Sequence, residues 1–213
     1  MKSKLLFCLT LVLSDLPGHN CQAAITFPKA PEGGRQIVYE RADQHLRAFP
    51  HFFGELKIEA LTITDAHQIY SAVPQDVTSG KLLSAARLTG WRYLLTHGTN
   101  AVGEAWLYAS PEAGGALKFN SLFGDRFAQP TLVALRQAKE LPPVKKQDYE
   151  LRYLNMPSLS FSAVWLHGVS DDIIIPLPPA SGVWYAYHPY SQSQIIKLLK
   201  PQAEKWLKAE QAE

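Results

Sequence analysis

Besides Ser170, five side chains that could carry acid–base or metal chemistry occur within thirteen positions of the segment LSFSAVWLHGVSDD. They are Ser160, Ser162, His167, Asp171 and Asp172. A histidine held by a carboxylate is the general base of many hydrolases, and a serine within hydrogen-bond distance of that histidine would be its nucleophile. His167 with Asp171 or Asp172 is therefore the candidate catalytic group of this chain.

Strand alternation separates this histidine from the nearby serines. The segment has the composition of a β-strand, in which successive side chains point to opposite faces of the sheet. His167 then lies on one face and Ser160 and Ser162 on the other, whereas a catalytic pair needs about 2.6 to 3.2 Å between its atoms. If residues 168–171 form the turn of a hairpin, His167 lies opposite Asp172. A hydrogen-bonded pair that closes a hairpin is the favoured interpretation, and a catalytic or metal-binding role is the alternative.

The polar residues do not form a metal or cofactor motif. His167, Asp171, Asp172 and His188 are of types that bind zinc or a harder cation, but their spacing specifies no site. The sequence contains no Gly-x-Ser-x-Gly, His-Glu-x-x-His or glycine-rich phosphate loop. We therefore predict no metal and no cofactor.

The second candidate is an aromatic segment, VWYAYHPY, at residues 183–190. Its large rings have flat apolar faces and polar edges, which can stack on sugar rings or on the surface of a partner protein. These candidate binding residues are Trp184, Tyr185, Tyr187 and Tyr190. Core packing or docking of the following helix is the favoured interpretation of the segment, and a binding surface is the alternative.

The first 24 residues have the three-part layout of a secretory signal peptide, with lysines, an apolar run and then small residues. The apolar run covers only residues 5–13, whereas a membrane-spanning helix needs about 20, so no permanent membrane anchor is predicted. Cleavage would remove Cys8 and Cys21, and with them any disulfide or thiolate site. The sequence thus predicts a periplasmic or secreted protein that begins at Ala24 or Ile25.

The charge of the chain gives no support for nucleic-acid binding. The formal net charge is +2, and it falls to +1 without the predicted signal peptide. No run of five like charges occurs, although phosphate backbones are bound by clustered lysines and arginines. We therefore expect the partner to be an envelope protein or a small ligand.

The order of elements predicts an α+β fold. Apolar residues recur at helical spacing in residues 38–49, 132–138 and 195–206. The remaining apolar segments indicate strands. They are ELKIEALTIT, a second apolar piece at residues 69–73, GWRYLLTH, NAVGEAWLYA, LKFNSLF, YELRYLN, LSFSAVWLH and DIIIPL. Because short turns join neighbouring strands, we predict a mainly antiparallel sheet of about six to eight strands packed with three helices, in a single domain over residues 25–213.

The clearest hairpin is GWRYLLTHGTNAVGEAWLYA, in which THGTN supplies the turn. Trp91, Tyr93, Trp106 and Tyr108 belong to its two strands. We expect the helix that contains Leu132 and Leu135 to pack against this hairpin, with Leu135 buried.

Three segments, TGWRYLL, DYELRYLNMPSLSFSAVWLHG and DDIIIPLPP, resemble a pattern found in uncharacterised exported bacterial proteins. The resemblance covers roughly residues 68–180. It implies a bacterial domain and assigns no activity to any residue.

The sequence favours a function without catalysis. It predicts export and a globular body, and the one candidate dyad fails the strand-parity test. We therefore predict a non-enzymatic binding or envelope-assembly module. The alternative is a hydrolase of unfamiliar type that uses His167 with Asp171 or Asp172.

Overall fold

The computed structural model describes residues 24–109 and 117–212, which form a mixed α+β structure around a nine-stranded, mostly antiparallel sheet. The strands are β1 (Ile25–Thr26), β2 (Thr62–Ile63), β3 (His67–Ser71), β4 (Arg87–His97), β5 (Asn100–Ala109), β6 (Leu117–Gly124), β7 (Tyr149–Met156), β8 (Phe161–Gly168) and β9 (Asp172–Pro176). The predicted signal peptide, including Cys8 and Cys21, lies outside the described residues except for Ala24.

The sheet consists of two antiparallel units that meet at a parallel pair. The strand order is β6-β5-β4-β3-β7-β8-β9, and β3 runs parallel to β7 at the centre. The short strands β1 and β2 pair with β7 and β4. Residues that are far apart in the sequence therefore become neighbours in the middle of the sheet.

Helices cover both faces of the sheet. They are α1 (Gly34–Ala48), α2 (Pro74–Thr78), α3 (Leu82–Ala85), α4 (Asp125–Ala138) and α5 (Gln192–Glu210). On one face, α1 packs against the β4–β6 half, while α2, α3 and α5 pack against the β7–β9 half. The helix α4 lies on the opposite face and contacts both halves. None of the helices in the described ranges is both long and apolar enough to cross a membrane.

The structure has more elements than the sequence predicts, with nine strands instead of six to eight and five helices instead of three. The added elements are very short, so they have no detectable period. The segment ELKIEALTIT was predicted as one strand and is instead a 3-10 turn at Ile58–Ala60 followed by β2. Ile58 and Ile63 both pack under α1, and the turn lets two apolar residues five positions apart reach the same cluster.

The two predicted hairpins are confirmed. β4 and β5 pair in antiparallel register across the turn after His97. β8 and β9 pair so that His167 lies opposite Asp172 and Trp165 opposite Ile174, which is the register that the sequence predicts. The helix α5 begins with a capping box formed by Ser191 and Gln194.

The helix α4 packs against the predicted hairpin, but through different residues. Leu135 is only partly buried, so the expectation of a fully buried leucine was wrong. The buried face consists of small residues, Ala128, Thr131, Ala134 and Ala138. Small side chains allow a helix to approach a sheet closely, and the leucines then lie on its flanks. This close approach places α4 directly over the polar side chains described below.

Candidate functional site

The hairpin formed by β8 and β9 ends in a histidine–aspartate pair. His167 Nδ1 lies 2.8 Å from Asp172 Oδ1, and the indole Nε1 of Trp165 donates to the same oxygen at 2.7 Å. A carboxylate only accepts hydrogen bonds, so Nδ1 of the ring carries a proton. The side chains of His167 and Asp172 are 41% and 26% exposed. The structure thus contains the pair, at the half-exposed end of an otherwise apolar hairpin.

Charged and aromatic side chains extend this polar strip across β7 to β3. The guanidinium carbon of Arg152 lies 4.8 Å from the ring centre of Tyr70 and 4.7 Å from that of Trp165, which are cation–π contacts. Its Nε donates to Glu150 at 2.7 Å. Arg152 is therefore held by three neighbours, an arrangement typical of a packed surface.

Asp171 does not hold His167. Its Oδ1 accepts hydrogen bonds from the hydroxyl of Tyr149 at 2.7 Å, from Ser170 at 3.3 Å and from Gln147. These contacts tie the hairpin turn to the start of β7. Of the two candidate aspartates, only Asp172 is placed to act with His167.

The two serines lie where strand alternation predicts them, away from His167. Ser162 is on β8 with the opposite parity, and Ser160 precedes the strand in a left-handed conformation at φ 48°. In the part of the chain that the structure describes, no hydrogen bond joins His167 to a serine or threonine hydroxyl. Among the described residues, His167 and its carboxylate therefore have no hydroxyl nucleophile within hydrogen-bond distance.

The aromatic segment does not form one surface. Trp184 is 2% exposed and packs edge-on against Phe161 with ring centres 5.1 Å apart. The hydroxyl of Tyr190, which is half-buried, accepts from the backbone N–H of Tyr185 at 3.1 Å. Tyr187 packs against the core under α4, and burial raises the pKa of its phenol. Of the four rings, only that of Tyr185 is largely exposed.

The candidate metal ligands do not come together. His188 packs its ring against Tyr190, with ring centres 4.7 Å apart, while Asp171 bonds to Tyr149. Within residues 24–109 and 117–212, no group of three or more His, Cys, Asp or Glu side chains is placed to hold a metal ion.

A second polar cluster, which the sequence analysis did not identify, lies beneath α4. Arg92 of β4 and Glu104 of β5 are 0% and 1% exposed and form an ion pair. Arg92 Nε donates to Glu104 Oε2 at 3.0 Å, and Nη2 donates to the same oxygen. The indole Nε1 of Trp106 donates to Oε1 at 2.7 Å. Both oxygens of this carboxylate are therefore engaged.

Every N–H of the Arg92 guanidinium has an acceptor. Nη1 donates to Thr131 Oγ1 at 2.8 Å and to His67 Nε2 at 3.2 Å, and Nη2 also donates to the Phe127 carbonyl at 3.1 Å. The Tyr153 ring lies 4.2 Å from the guanidinium carbon. A buried charge costs several kcal/mol unless it is paired and fully hydrogen-bonded, and these contacts satisfy both conditions.

His67 is a neutral base at one end of this network. Arginine only donates, so His67 Nε2 accepts and the ring proton is on Nδ1. Burial, and then the charge of Arg92, hold the pKa of His67 well below its usual value of 6.5. Nδ1 is buried and has no hydrogen-bond partner among the described residues. An unsatisfied buried donor of this kind costs about 1–3 kcal/mol.

A cavity of about 340 Å³, here called the aromatic pocket, opens at the Glu104 end of the network. Four of its rings form a continuous wall of edge-on contacts, with centre distances of 5.7 Å from Tyr153 to Trp106, 5.4 Å from Trp106 to Phe123 and 5.5 Å from Phe123 to Phe127. Its polar groups include Glu104, Asn155 and Ser162. Apolar walls with a few polar groups are typical of a small-molecule site.

A second cavity of about 270 Å³, here called the His67 cavity, lies beside the C-terminal half of α4. Its lining includes His67 and Leu94 from the sheet, Leu132 and Leu135 from α4, and Arg136. The buried network therefore has one end at each cavity.

One signal for this site was present in the sequence. Glu104 stands between apolar neighbours in NAVGEAWLYA, and the register of the hairpin places Arg92 opposite Trp106, next to Glu104 on the same face. Pairing the residues of the two strands across the predicted turn would have placed Arg92 beside Glu104 and so predicted the ion pair. His67, Thr131 and Tyr153 come from three other elements, and no local pattern indicates that they converge on Arg92.

Comparisons with known proteins add no relative. No family description, curated protein or solved structure matches the chain.

Proposed function

We propose that this chain is a single-domain, non-enzymatic binding protein whose ligand occupies the aromatic pocket. The observation that carries the proposal is the continuous wall of rings above a buried carboxylate. The pocket lies within the range of volumes that bind small molecules. Because both oxygens of Glu104 are already engaged, the carboxylate acts as a fixed floor and not as an acid or base.

The lining defines the chemistry of the ligand. Trp106, Phe123 and Phe127 offer apolar faces, while Asn155 and Ser162 offer hydrogen-bonding groups at one side. The charge of Glu104 is balanced by the buried Arg92, and Arg126 is a further charged residue of the lining, at an exposed position. We infer a small molecule with a flat apolar body and a hydrogen-bonding edge, such as a phenol or an indole.

Calorimetric titration with p-cresol and indole tests this assignment. Phe127→Ala should weaken binding at least about fivefold, because an aromatic contact and its buried area are lost. Phe127 is 50% exposed, so the substitution should not disturb folding. Phe49→Ala is the matched control, since Phe49 is 59% exposed and lies outside the pocket. No binding of either probe, or equal losses in both variants, would contradict the assignment.

Export to the periplasm or the medium is part of the proposal. Its support is the order of lysines, apolar run and small residues in the first 24 positions. N-terminal sequencing of the protein recovered outside the cytoplasm should begin at Ala24 or Ile25. A chain that keeps Cys8, or that carries a lipid on Cys21, would contradict a freely exported protein.

The second candidate function is hydrolysis by His167 with Asp172. The observation that favours it is the 2.8 Å contact from Asp172 to Nδ1, which is how a carboxylate orients a catalytic histidine. If this candidate is correct, His167→Gln should lower the hydrolysis of p-nitrophenyl esters by about a hundredfold or more and leave the fold intact. If the unaltered protein and His167→Gln both hydrolyse the ester no faster than buffer alone, hydrolysis by this pair is contradicted.

A further inference from the structure

The His67 cavity has a polar floor, apolar walls and a cationic mouth. Its floor is formed by His67 and Leu94, which are 1% and 2% exposed. Its walls are half-buried apolar side chains of β1 and α4, namely Ile25, Leu132 and Leu135. Arg136 and Lys139 line it and are exposed to solvent, so they stand at its mouth. The three layers present different chemistry to a molecule that enters.

The histidine on the floor carries an unpaired hydrogen-bond donor, which is itself buried. His67 Nε2 is occupied by Arg92, so the ring proton is on Nδ1, where the described residues supply no acceptor. Buried polar groups in proteins are nearly always hydrogen-bonded. An unpaired buried donor next to a cavity therefore favours a ligand that supplies an acceptor atom. A ligand that brings a carbonyl or ether oxygen to the floor would complete the network.

The mouth presents positive charge. Arg136 lies in the last turn of α4 and Lys139 is the residue that follows the helix, and no aspartate or glutamate lines this cavity in the described part of the chain. The Arg136 side chain is held in place by a hydrogen bond to the Thr99 carbonyl. A carboxylate at this position would be attracted by both cations while it remains in contact with water.

We propose that the His67 cavity binds a small apolar carboxylate that carries an acceptor oxygen at its far end. The acceptor takes the hydrogen bond of His67 Nδ1, the apolar body lies between Ile25 and the leucines of α4, and the carboxylate lies at Arg136 and Lys139. A volume of about 270 Å³ equals that of about nine water molecules in the liquid, which limits the ligand to about a dozen non-hydrogen atoms. This site is separate from the aromatic pocket and does not depend on it.

The test uses 4-acetylbenzoate, which has a ketone at one end, a ring in the middle and a carboxylate at the other end. Two analogues each remove one feature. In 4-isopropylbenzoate a group of the same shape replaces the ketone, and loss of one hydrogen bond should weaken binding about two- to tenfold. Acetophenone lacks the carboxylate, and loss of an exposed ionic contact should weaken binding about two- to fivefold.

Three variants locate the binding. Leu135→Trp, at a half-buried position, should fill the cavity and weaken 4-acetylbenzoate binding at least about tenfold. Lys139→Gln should weaken it about two- to fivefold and should have no effect on acetophenone. Phe127→Ala, in the aromatic pocket, is the control and should leave the affinity for 4-acetylbenzoate unchanged. A failure of the aromatic pocket and a failure of this site are therefore distinguishable.

A spectroscopic signal reports the hydrogen bond itself. In nitrogen-15 spectra of the histidine rings, the Nδ1–H proton of His67 should move downfield when 4-acetylbenzoate binds and should stay in place with 4-isopropylbenzoate. The proposal is overturned if 4-acetylbenzoate does not bind, if Leu135→Trp binds it as well as the unaltered protein does, or if it binds without a change at the His67 ring.

Discussion

Two tryptophans of this protein make the same contact in opposite surroundings. Trp165 donates its indole N–H to Asp172 at 2.7 Å, and Trp106 donates to Glu104 at 2.7 Å. Asp172 also forms a hydrogen bond with a half-exposed histidine five positions away along the chain. Glu104 instead forms an ion pair with the fully buried Arg92. The two contacts share geometry and differ in the environment of the carboxylate.

The contact at Asp172 holds one hairpin together, whereas the contact at Glu104 belongs to a network that joins several elements of the fold. The contact at His167 joins neighbours across one hairpin, and water can take its place when it is lost. The network at Arg92 joins buried side chains of β3, β4, β5 and α4, so losing one member leaves another unsatisfied. We therefore expect substitutions beneath α4 to cost much more stability than substitutions at the hairpin end.

The largest effect should follow from Glu104→Gln. It leaves the charge of Arg92 buried without a counter-charge, which should lower the free energy of unfolding by about 3–5 kcal/mol in chemical denaturation. The double variant Arg92→Met with Glu104→Met removes both charges and should recover most of that loss. A double variant as unstable as Glu104→Gln would show that the pair itself is not the source of the cost.

A smaller loss should follow from Thr131→Val, which removes only the hydroxyl that accepts from Arg92 Nη1. One donor is then buried without a partner, and the expected cost is about 1–3 kcal/mol. Thr89→Val is the matched control, because Thr89 is exposed on the same sheet and should change stability by less than about 0.5 kcal/mol. Equal effects of the two substitutions would contradict the difference in burial.

Acid should weaken the fold through His67. Burial and Arg92 lower the pKa of His67 in the folded protein. Below about pH 6.5, His67 is therefore protonated in the unfolded chain while it stays neutral in the folded protein. The free energy of unfolding should then fall by up to ~1.4 kcal/mol for each pH unit of acidification, until the lowered pKa is reached. His67→Gln keeps an acceptor for Arg92 and should remove this part of the slope. An unchanged slope between pH 6.5 and 5 would assign the acid sensitivity to other groups.

The smallest effect should follow from His167→Gln. Glutamine can still donate to Asp172, and the position is 41% exposed, so the free energy of unfolding should change by no more than about 1 kcal/mol. A loss as large as that of Glu104→Gln would mean that the hairpin end and the buried network are equally important to the fold.

The same contrast explains what could be predicted from the sequence. Strand alternation and turn chemistry act between near neighbours, and they correctly paired His167 with Asp172. They also correctly separated His167 from Ser162. The burial of Trp184 agrees with the core-packing interpretation that was favoured for the aromatic segment.

The remaining features depend on contacts that no local pattern contains. β3 and β7 pair in parallel although about eighty residues separate them, and that pairing brings Tyr153 to Arg92. Leu135 was expected in the core because leucines usually are, but Thr131 and the alanines of α4 occupy the helix face over the network. A single acidic residue in an apolar strand, Glu104, was the only local sign of this region.

We expect p-cresol to bind in the aromatic pocket and not at the hairpin end that contains His167 and Asp172. The two indole N–H groups test it in one experiment, a nuclear magnetic resonance titration of the nitrogen-15-labelled protein with p-cresol. Trp106→Phe and Trp165→Phe assign the two signals. We predict a saturable shift of the Trp106 signal, with the Trp165 signal unmoved. A shift of the Trp165 signal with none at Trp106 would contradict the account.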